Sequence, residues 1–428
     1  MKALALHPER EIEKVFLAGL ETRERASWDL RDSMDELAQL AATAGGRVVG
    51  QGIQKLDRPV AATFFGSGKA AEWALHCEEL GADTIIVDDD LSAAQSRNLE
   101  RVFQRKVLDR TSLILDIFAQ RARTREGKLQ VELAILEHLL PRLTRYWEHL
   151  SRQKGGIGMR GGEGETQLEA DRRKVQERIV RIGKELEQVR RQRGTQRQGR
   201  RRHQWPLASL VGYTNAGKST LFNSLTGAGV LVEDKLFATL DPTIRRLVLP
   251  TRQSVLLSDT VGFIRNLPHR LVEAFKATLE EVVQADLLLH VVDASNPRVE
   301  DQIRAVHDVL EEIGAGGKPT LTVLNKVDRF SDRAAIENML DRCPRAVAVS
   351  ARTGEGFDAL RAEIGGLLRP IRRWIDLEIP HEASGVIAQL HASGEVIAAD
   401  YSGPRARLQA RVPPHLVWQF EPFIVGAS

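Results

Sequence analysis

Gly212-Tyr-Thr-Asn-Ala-Gly-Lys-Ser219 is the stretch on which the reading of this 428-residue chain turns. It is a glycine-rich phosphate loop. Backbone N–H groups of such a loop wrap the α- and β-phosphates of a nucleoside triphosphate, Lys218 reaches the β- and γ-phosphates, and the Ser219 hydroxyl ligates Mg²⁺. The apolar run 206–211 reads as a buried strand and 218–225 as the start of a helix, the context this motif requires. Gly212, Tyr213, Thr214, Asn215, Ala216, Gly217, Lys218, Ser219 and Thr220 are therefore the expected phosphate-binding residues.

Companion strings follow in order and identify the base as guanine. Asn325-Lys-Val-Asp328 closes the apolar run 320–324, at the carboxyl end of a predicted strand, where such sheets bind ligands. A carboxylate at Asp328 only accepts hydrogen bonds, which suits the N1–H and N2–H₂ edge of guanine and repels the acceptor of adenine. Asn325, Lys326, Val327 and Asp328 are thus assigned to the base, together with Ser350, Ala351 and Arg352, whose backbone would meet O6. Asp259, Thr260, Val261 and Gly262 follow an apolar strand and form the second Mg²⁺ element. Asp259 would hold the ion through water, and the Gly262 amide would sense the γ-phosphate. Phe237, Ala238, Thr239, Leu240 and Asp241 form the first switch string, with Thr239 as the expected Mg²⁺ ligand and Thr243 as the fallback. Each string alone is common in ordinary loops. In this order, with strands between them, they describe a domain that binds GTP and GDP.

Phe263 stands where related switches carry a water-orienting Gln. An apolar side chain cannot hold the attacking water, so the expected hydrolysis is slow until a partner orders the switches. Lys218, Thr239 and Gly262 are the residues expected to act on the γ-phosphate.

Composition excludes several classes. Hydrophobic residues make up 42% and charged residues 28%, as in globular domains, and no run approaches a membrane span. Two isolated cysteines, Cys77 and Cys343, suggest no disulfide framework. A cytoplasmic monomer is expected. The net charge of +3 conceals an asymmetry, because residues 151–202 hold 16 Lys and Arg against 7 Asp and Glu. A basic protrusion on an otherwise acidic chain fits a polyphosphate partner, although a solvated helical face has the same composition.

Four regions are expected in this multidomain α/β chain. Residues 1–108 alternate strand patterns (15–18, 46–49, 84–87) with helical ones, which predicts a small α/β domain with a largely parallel sheet. Residues 109–204 are helical in pattern, with apolar stripes at Leu136, Leu139, Leu143 and Tyr146 and at Val175, Ile179, Ile182, Leu186 and Val189. Two antiparallel helices of about 25 residues would reach roughly 35–40 Å. Their predicted tip, 153–164, has six glycines between Gly155 and Gly164. Arg152, Lys154, Gly155, Gly156, Arg160, Gly161 and Gly162 are its expected RNA-binding residues, since a glycine-dense loop can lie close to an irregular surface. Residues 194–203 are expected to form a linker. Residues 205–369 form the GTP-binding domain, a Ras-like, mainly parallel sheet with helices on both faces, and 370–428 a small α+β appendage.

Together, Gly164-Glu-Thr-Gln-Leu-Glu-Ala-Asp-Arg-Arg173, the phosphate loop, Phe237-Ala-Thr-Leu-Asp-Pro-Thr243 and Asp259-Thr-Val-Gly-Phe-Ile264 resemble the HflX family of GTPases. The likeness covers nearly the whole chain. It implies a stress-linked GTPase that binds the large ribosomal subunit, its arm directed toward ribosomal RNA, and that dissociates or rescues ribosomes. A GTP-timed assembly factor for large subunits is the alternative.

Overall fold

Residues 14–21 read Lys-Val-Phe-Leu-Ala-Gly-Leu-Glu, and every position between the two ends is buried. A strand buried on both faces belongs in the middle of a parallel sheet. In the computed structural model it is β1 (Lys14–Glu21), flanked by β2 (Arg47–Lys55) and β3 (Thr84–Val87), with β4 (Lys106–Asp109) outside β3 and every pairing parallel. The structure describes residues 12–23, 27–146, 163–203, 205–229, 236–251, 253–265, 279–343, 345–368, 373–412 and 417–425.

Alternation along β1 divides its side chains between two cores. Val15 and Leu17 pack with α1 (Ser27–Ala44) and α4 (Arg110–Arg121). Phe16, Ala18 and Leu20 pack with α2 (Ser67–Glu79) and α3 (Ala93–Phe103). The helix α4, which lies in the stretch read as hairpin, is thus part of the N-terminal layer. Its face Leu113, Ile114, Ile117 and Phe118 is apolar enough to cover the sheet.

The arm consists of α5 (Arg125–Tyr146) and α6 (Glu163–His203). Leu129, Leu133 and Leu136 meet Ile182 and Leu186. Arg178 forks onto Glu132 through two bonds of 2.7 Å, and Arg125 pairs with Glu185 nearer the root, so the helices run antiparallel as expected. Two expectations are corrected. At 41 residues α6 is far longer than 25, and it continues through 194–203, where a linker was predicted. The glycines there weaken helix propensity, but Arg and Gln favour it, and the sum over the stretch leaves the helix intact. Residues 152–162, with Arg152, Lys154, Gly155, Gly156, Arg160, Gly161 and Gly162, lie outside the described residues.

The third unit carries a six-stranded sheet in the order β10-β9-β8-β5-β7-β6. Its strands are β5 (Leu207–Val211), β6 (Thr243–Val248), β7 (Ser254–Asp259), β8 (Leu287–Asp293), β9 (Thr320–Asn325) and β10 (Ala346–Ala348), and only β6 is antiparallel to its neighbour. The carboxyl ends of β5, β7, β9 and β10 therefore line one edge. The last unit is an antiparallel sheet of β11 (Arg373–Pro380), β13 (Arg405–Val412) and β12 (Glu395–Asp400), with the helix Ser384–Ser393 on one face.

The N-terminal layer and the third unit share one apolar cluster. Leu236, Phe237, Leu240, Val261, Phe263 and Ile264 join Leu113, Phe118, Val131 and Ala134 within it.

Candidate functional site

β5 runs into Gly212, where φ is +150° and an added Cβ would stand 2.2 Å from the Val291 carbonyl on β8. Only glycine lets the chain turn there. The helix α7 (Lys218–Thr226) then starts from the loop with its N–H groups aimed into it. Lys218 lies buried along the inside and donates to the carbonyls of Gly212 at 3.1 Å and Tyr213 at 2.8 Å. Burial pulls its amine down to about 8, against the pull of Asp259 and with a further push from Lys326. A phosphate would replace those carbonyls as its partner.

Ser219 Oγ, Thr239 Oγ1 and Asp259 Oδ2 stand at the corners of a triangle, with separations of 2.8, 2.7 and 3.1 Å. Asp259 is buried, and its Oδ1 has no hydrogen-bond partner among the described residues. Burial raises its carboxyl, opposed by the Ser219 hydroxyl and the Lys218 charge. Hard oxygens around one point, with a carboxylate oxygen unspent, are a donor set that fits Mg²⁺. Thr239 reaches this triangle, whereas Thr243 begins β6.

Gly262 lies close against the loop. A Cβ there would stand 2.8 Å from Thr214 Cα and 3.0 Å from Lys218 Nζ. Phe263 is 1% exposed; its N–H bonds the Gly212 carbonyl at 3.1 Å and its carbonyl accepts from Thr214 N–H at 2.7 Å. Its ring belongs to the shared core, which explains an apolar residue at this position. Thr260 is buried and donates to the Leu210 carbonyl at 2.6 Å. Val261 is buried beside it.

On the base side, Asn325 donates to the Ala216 carbonyl and accepts from Ala351 N–H, both at 2.9 Å. It ties the phosphate loop to the last base element. Lys326 donates to the Asn215 carbonyl at 2.8 Å and pairs with Asp293 at 2.7 Å. Ser350 Oγ donates to Asp328 Oδ1 at 2.7 Å and so orients the carboxylate expected to read the base. Val327 is buried beneath and Arg352 is exposed at the rim.

Not every residue of the expected strings turns its side chain to the pocket. Thr214, Asn215, Gly217, Thr220 and Ala238 line it with Lys218, Ser219 and Thr239. Tyr213 turns outward, its hydroxyl donating to Glu36 of α1. Phe237, at φ +54°, also lines the pocket; it donates its N–H to Thr214 Oγ1 at 3.0 Å, and its ring packs edge-on against Phe118 at 4.8 Å. Leu240 is buried in the same cluster. The Asp241 carboxylate leaves the pocket for the root of the arm, where it accepts from Arg123 N–H at 2.8 Å and Thr124 N–H at 2.9 Å. Glu36, Arg110, Thr124 and Asp293 carry no local motif, and sequence reasoning missed them.

Three family descriptions match in chain order: "GTP-binding GTPase N-terminal" over 31–119, "GTP-binding GTPase Middle Region" over 121–200 and "50S ribosome-binding GTPase" over 208–326. A GTPase HflX from Caldanaerobacter subterraneus subsp. tengcongensis is 44% identical, covering 100% of this chain and 96% of its own. The chain belongs to the HflX family of GTPases. The GTPase HflX of Magnetococcus marinus is 51% identical over 85% of this chain and 84% of its own, and that of Escherichia coli 53% over 79% and 80%. A GTP-binding protein from Sulfolobus solfataricus, crystallised with GDP, is 26% identical with a TM-score of 0.43, covering 83% of this chain and 98% of its own. This HflX-family chain therefore binds guanine nucleotides and hydrolyses GTP. Among the described residues no helix is long and apolar enough to cross a membrane.

Proposed function

We propose that this HflX-family GTPase grips the large ribosomal subunit through ribosomal RNA and uses Mg²⁺-dependent GTP binding and hydrolysis to dissociate or rescue ribosomes under stress. The observation that carries the reading is the attachment of Asp241 to the backbone of Arg123 and Thr124. Asp241 lies two residues beyond Thr239, so the loop expected to ligate Mg²⁺ is tied to the two residues that lead into the arm. The family description of 208–326 as a ribosome-binding GTPase supports the partner.

In this reading Ser219, Thr239 and, through water, Asp259 would hold Mg²⁺, while Lys218 and the Gly262 N–H would face the γ-phosphate. Mg²⁺, when bound, neutralises charge that develops on the phosphoryl group. Asp328 and the backbone around Ser350, Ala351 and Arg352 hold guanine. Loss of the γ-phosphate frees the loops of Thr239 and Gly262, and through Asp241 the root of the arm moves with them. Phe263 offers no hydrogen bond to water, so hydrolysis is slow alone and rises when the ribosome orders the switches.

Sucrose-gradient sedimentation of mature ribosomes with the protein tests this. Free subunits should accumulate with GTP or a non-hydrolysable analogue and not with GDP. Association confined to immature large particles would favour the assembly-factor reading instead, and equal occupancy with GTP and GDP would overturn the switch.

A further inference from the structure

The segment that starts at Asp259 and runs through Gly262 to Arg265, here switch II, is held from its far side by the N-terminal layer. The Tyr213 hydroxyl, 213 being the second residue of the phosphate loop, donates to Glu36 of α1 and accepts the Arg265 N–H at 3.0 Å. Arg110, at the start of α4, reaches the Arg265 carbonyl at 3.5 Å while pairing with Glu36 and, at 2.8 Å, with Asp88. Arg110 is 4% exposed, Asp88 0% and Glu36 16%, so this is an interior network that joins two units. Burial disfavours the Arg110 charge, but Glu36 and Asp88 outweigh it and its affinity for protons is raised. The guanidinium is a fixed cation. Both backbone polar groups of Arg265 are thereby occupied by groups outside switch II. Three residues upstream sits Gly262, pressed against Thr214 and Lys218.

We propose that Tyr213, Glu36 and Arg110 are positioning residues for GTP hydrolysis: they clamp the backbone at Arg265 and so fix the Gly262 N–H over Lys218. None of the three side chains lines the pocket formed by Lys218, Ser219 and Thr239. Tyr213 contributes to phosphate binding through its backbone, and its side chain faces away. The clamp has a chemical rationale. A peptide N–H aimed at a developing negative charge accelerates the reaction only if its direction is set before the charge appears. Phe263 packs into the core beside it and supplies apolar fixation, whereas the hydrogen bonds at Arg265 supply direction. The inference rests on the GTPase activity and holds whatever the chain does on the ribosome.

The test is single-turnover GTP hydrolysis and GDP affinity, measured on full-length protein with no partner. Tyr213→Phe removes one oxygen and keeps the ring. It should slow hydrolysis about tenfold, the weight of a hydrogen bond to a charged group, with GDP affinity unchanged within about twofold. Glu36→Ala should do the same, and the double variant should be no slower than either single one, because both cut one chain of contacts. A role confined to stability would move GDP affinity and the thermal midpoint together with the rate. Undiminished hydrolysis by Tyr213→Phe, a rate loss that tracks GDP affinity, or multiplicative losses in the double variant would each overturn the proposal.

Discussion

The carboxylate of Asp241 holds the residue that caps α5: it accepts the Thr124 N–H at 2.9 Å and the Thr124 hydroxyl, and Thr124 Oγ1 in turn accepts the Gly127 N–H at 3.0 Å. The first N–H groups of a helix have no partner inside it, so the Thr124 hydroxyl satisfies one of them and the Asp241 anion behind it adds a favourable charge. The unusual element is where the anion comes from, 117 residues away, in a nucleotide switch.

Asp241→Ala should therefore cost about 1 kcal/mol of stability, because the capping Thr124 loses the acceptor that orients it. Amide hydrogen exchange should quicken at Arg123 and Thr124, and the preference of the large subunit for the GTP form over the GDP form should shrink. Gly127→Ala should have the same effect with Asp241 left in the sequence, since its Cβ would stand 2.4 Å from Asp241 Oδ1 and push the carboxylate aside. Unchanged exchange at both amides in either variant would count against the cap.

Gly262→Ala is expected to separate binding from chemistry. Its methyl group would have to share space with Thr214 Cα at 2.8 Å, and backbone cannot step aside as a flexible side chain does. Switch II must back away, and losing one preorganised donor of this kind costs on the order of 100-fold in kcat. GDP titration should give near-normal affinity.

Much of this site was legible in the sequence, for a physical reason. Phosphate loops, base-reading carboxylates and their strands depend on residues within a few positions of one another, and the strands 14–21, 207–211 and 320–325 announce themselves by apolar content. Tyr213 and Glu36 are 177 positions apart, and nothing in the neighbourhood of either residue signals the other. The linker expected at 194–203 fails for a different reason: Gly194 and Gly199 read as breaks, yet a long helix tolerates isolated glycines at about 1 kcal/mol each.

Replacement of Arg152, Lys154 and Arg160 by Ala together should weaken co-sedimentation with large subunits and leave GTP affinity intact. If the three cations meet phosphates, the slope of log affinity against log salt should flatten by about 2 to 3. A loss of GTP affinity would mean that the arm contacts the nucleotide pocket.

His290 predicts an acid-labile GTPase unit. Burial on β8, with the His307 ring at 5.6 Å and the Lys218 charge beyond, holds its imidazole down to about 3. The unfolded chain binds this proton near pH 6.5 and the folded one does not, so stability is complete above that value and falls as pH drops toward 3. Between pH 7.5 and 5.5 the loss from this group is about 1.4 kcal/mol. The fall in urea midpoint over that interval should be smaller in His290→Leu than in the parent; an identical fall would assign the acid sensitivity elsewhere.

The 41-residue helix α6 ends at His203, three residues short of the strand that delivers Gly212. A rod that ends this close in sequence to the cradle gives a load on its distant end a short route to the nucleotide. Linkage between sites is reciprocal. Whatever seizes the outer end must alter the dwell time of guanosine diphosphate just as the nucleotide alters the seizure. Under the proposed function, the assembly that holds the arm would be the protein's timekeeper as well as its target.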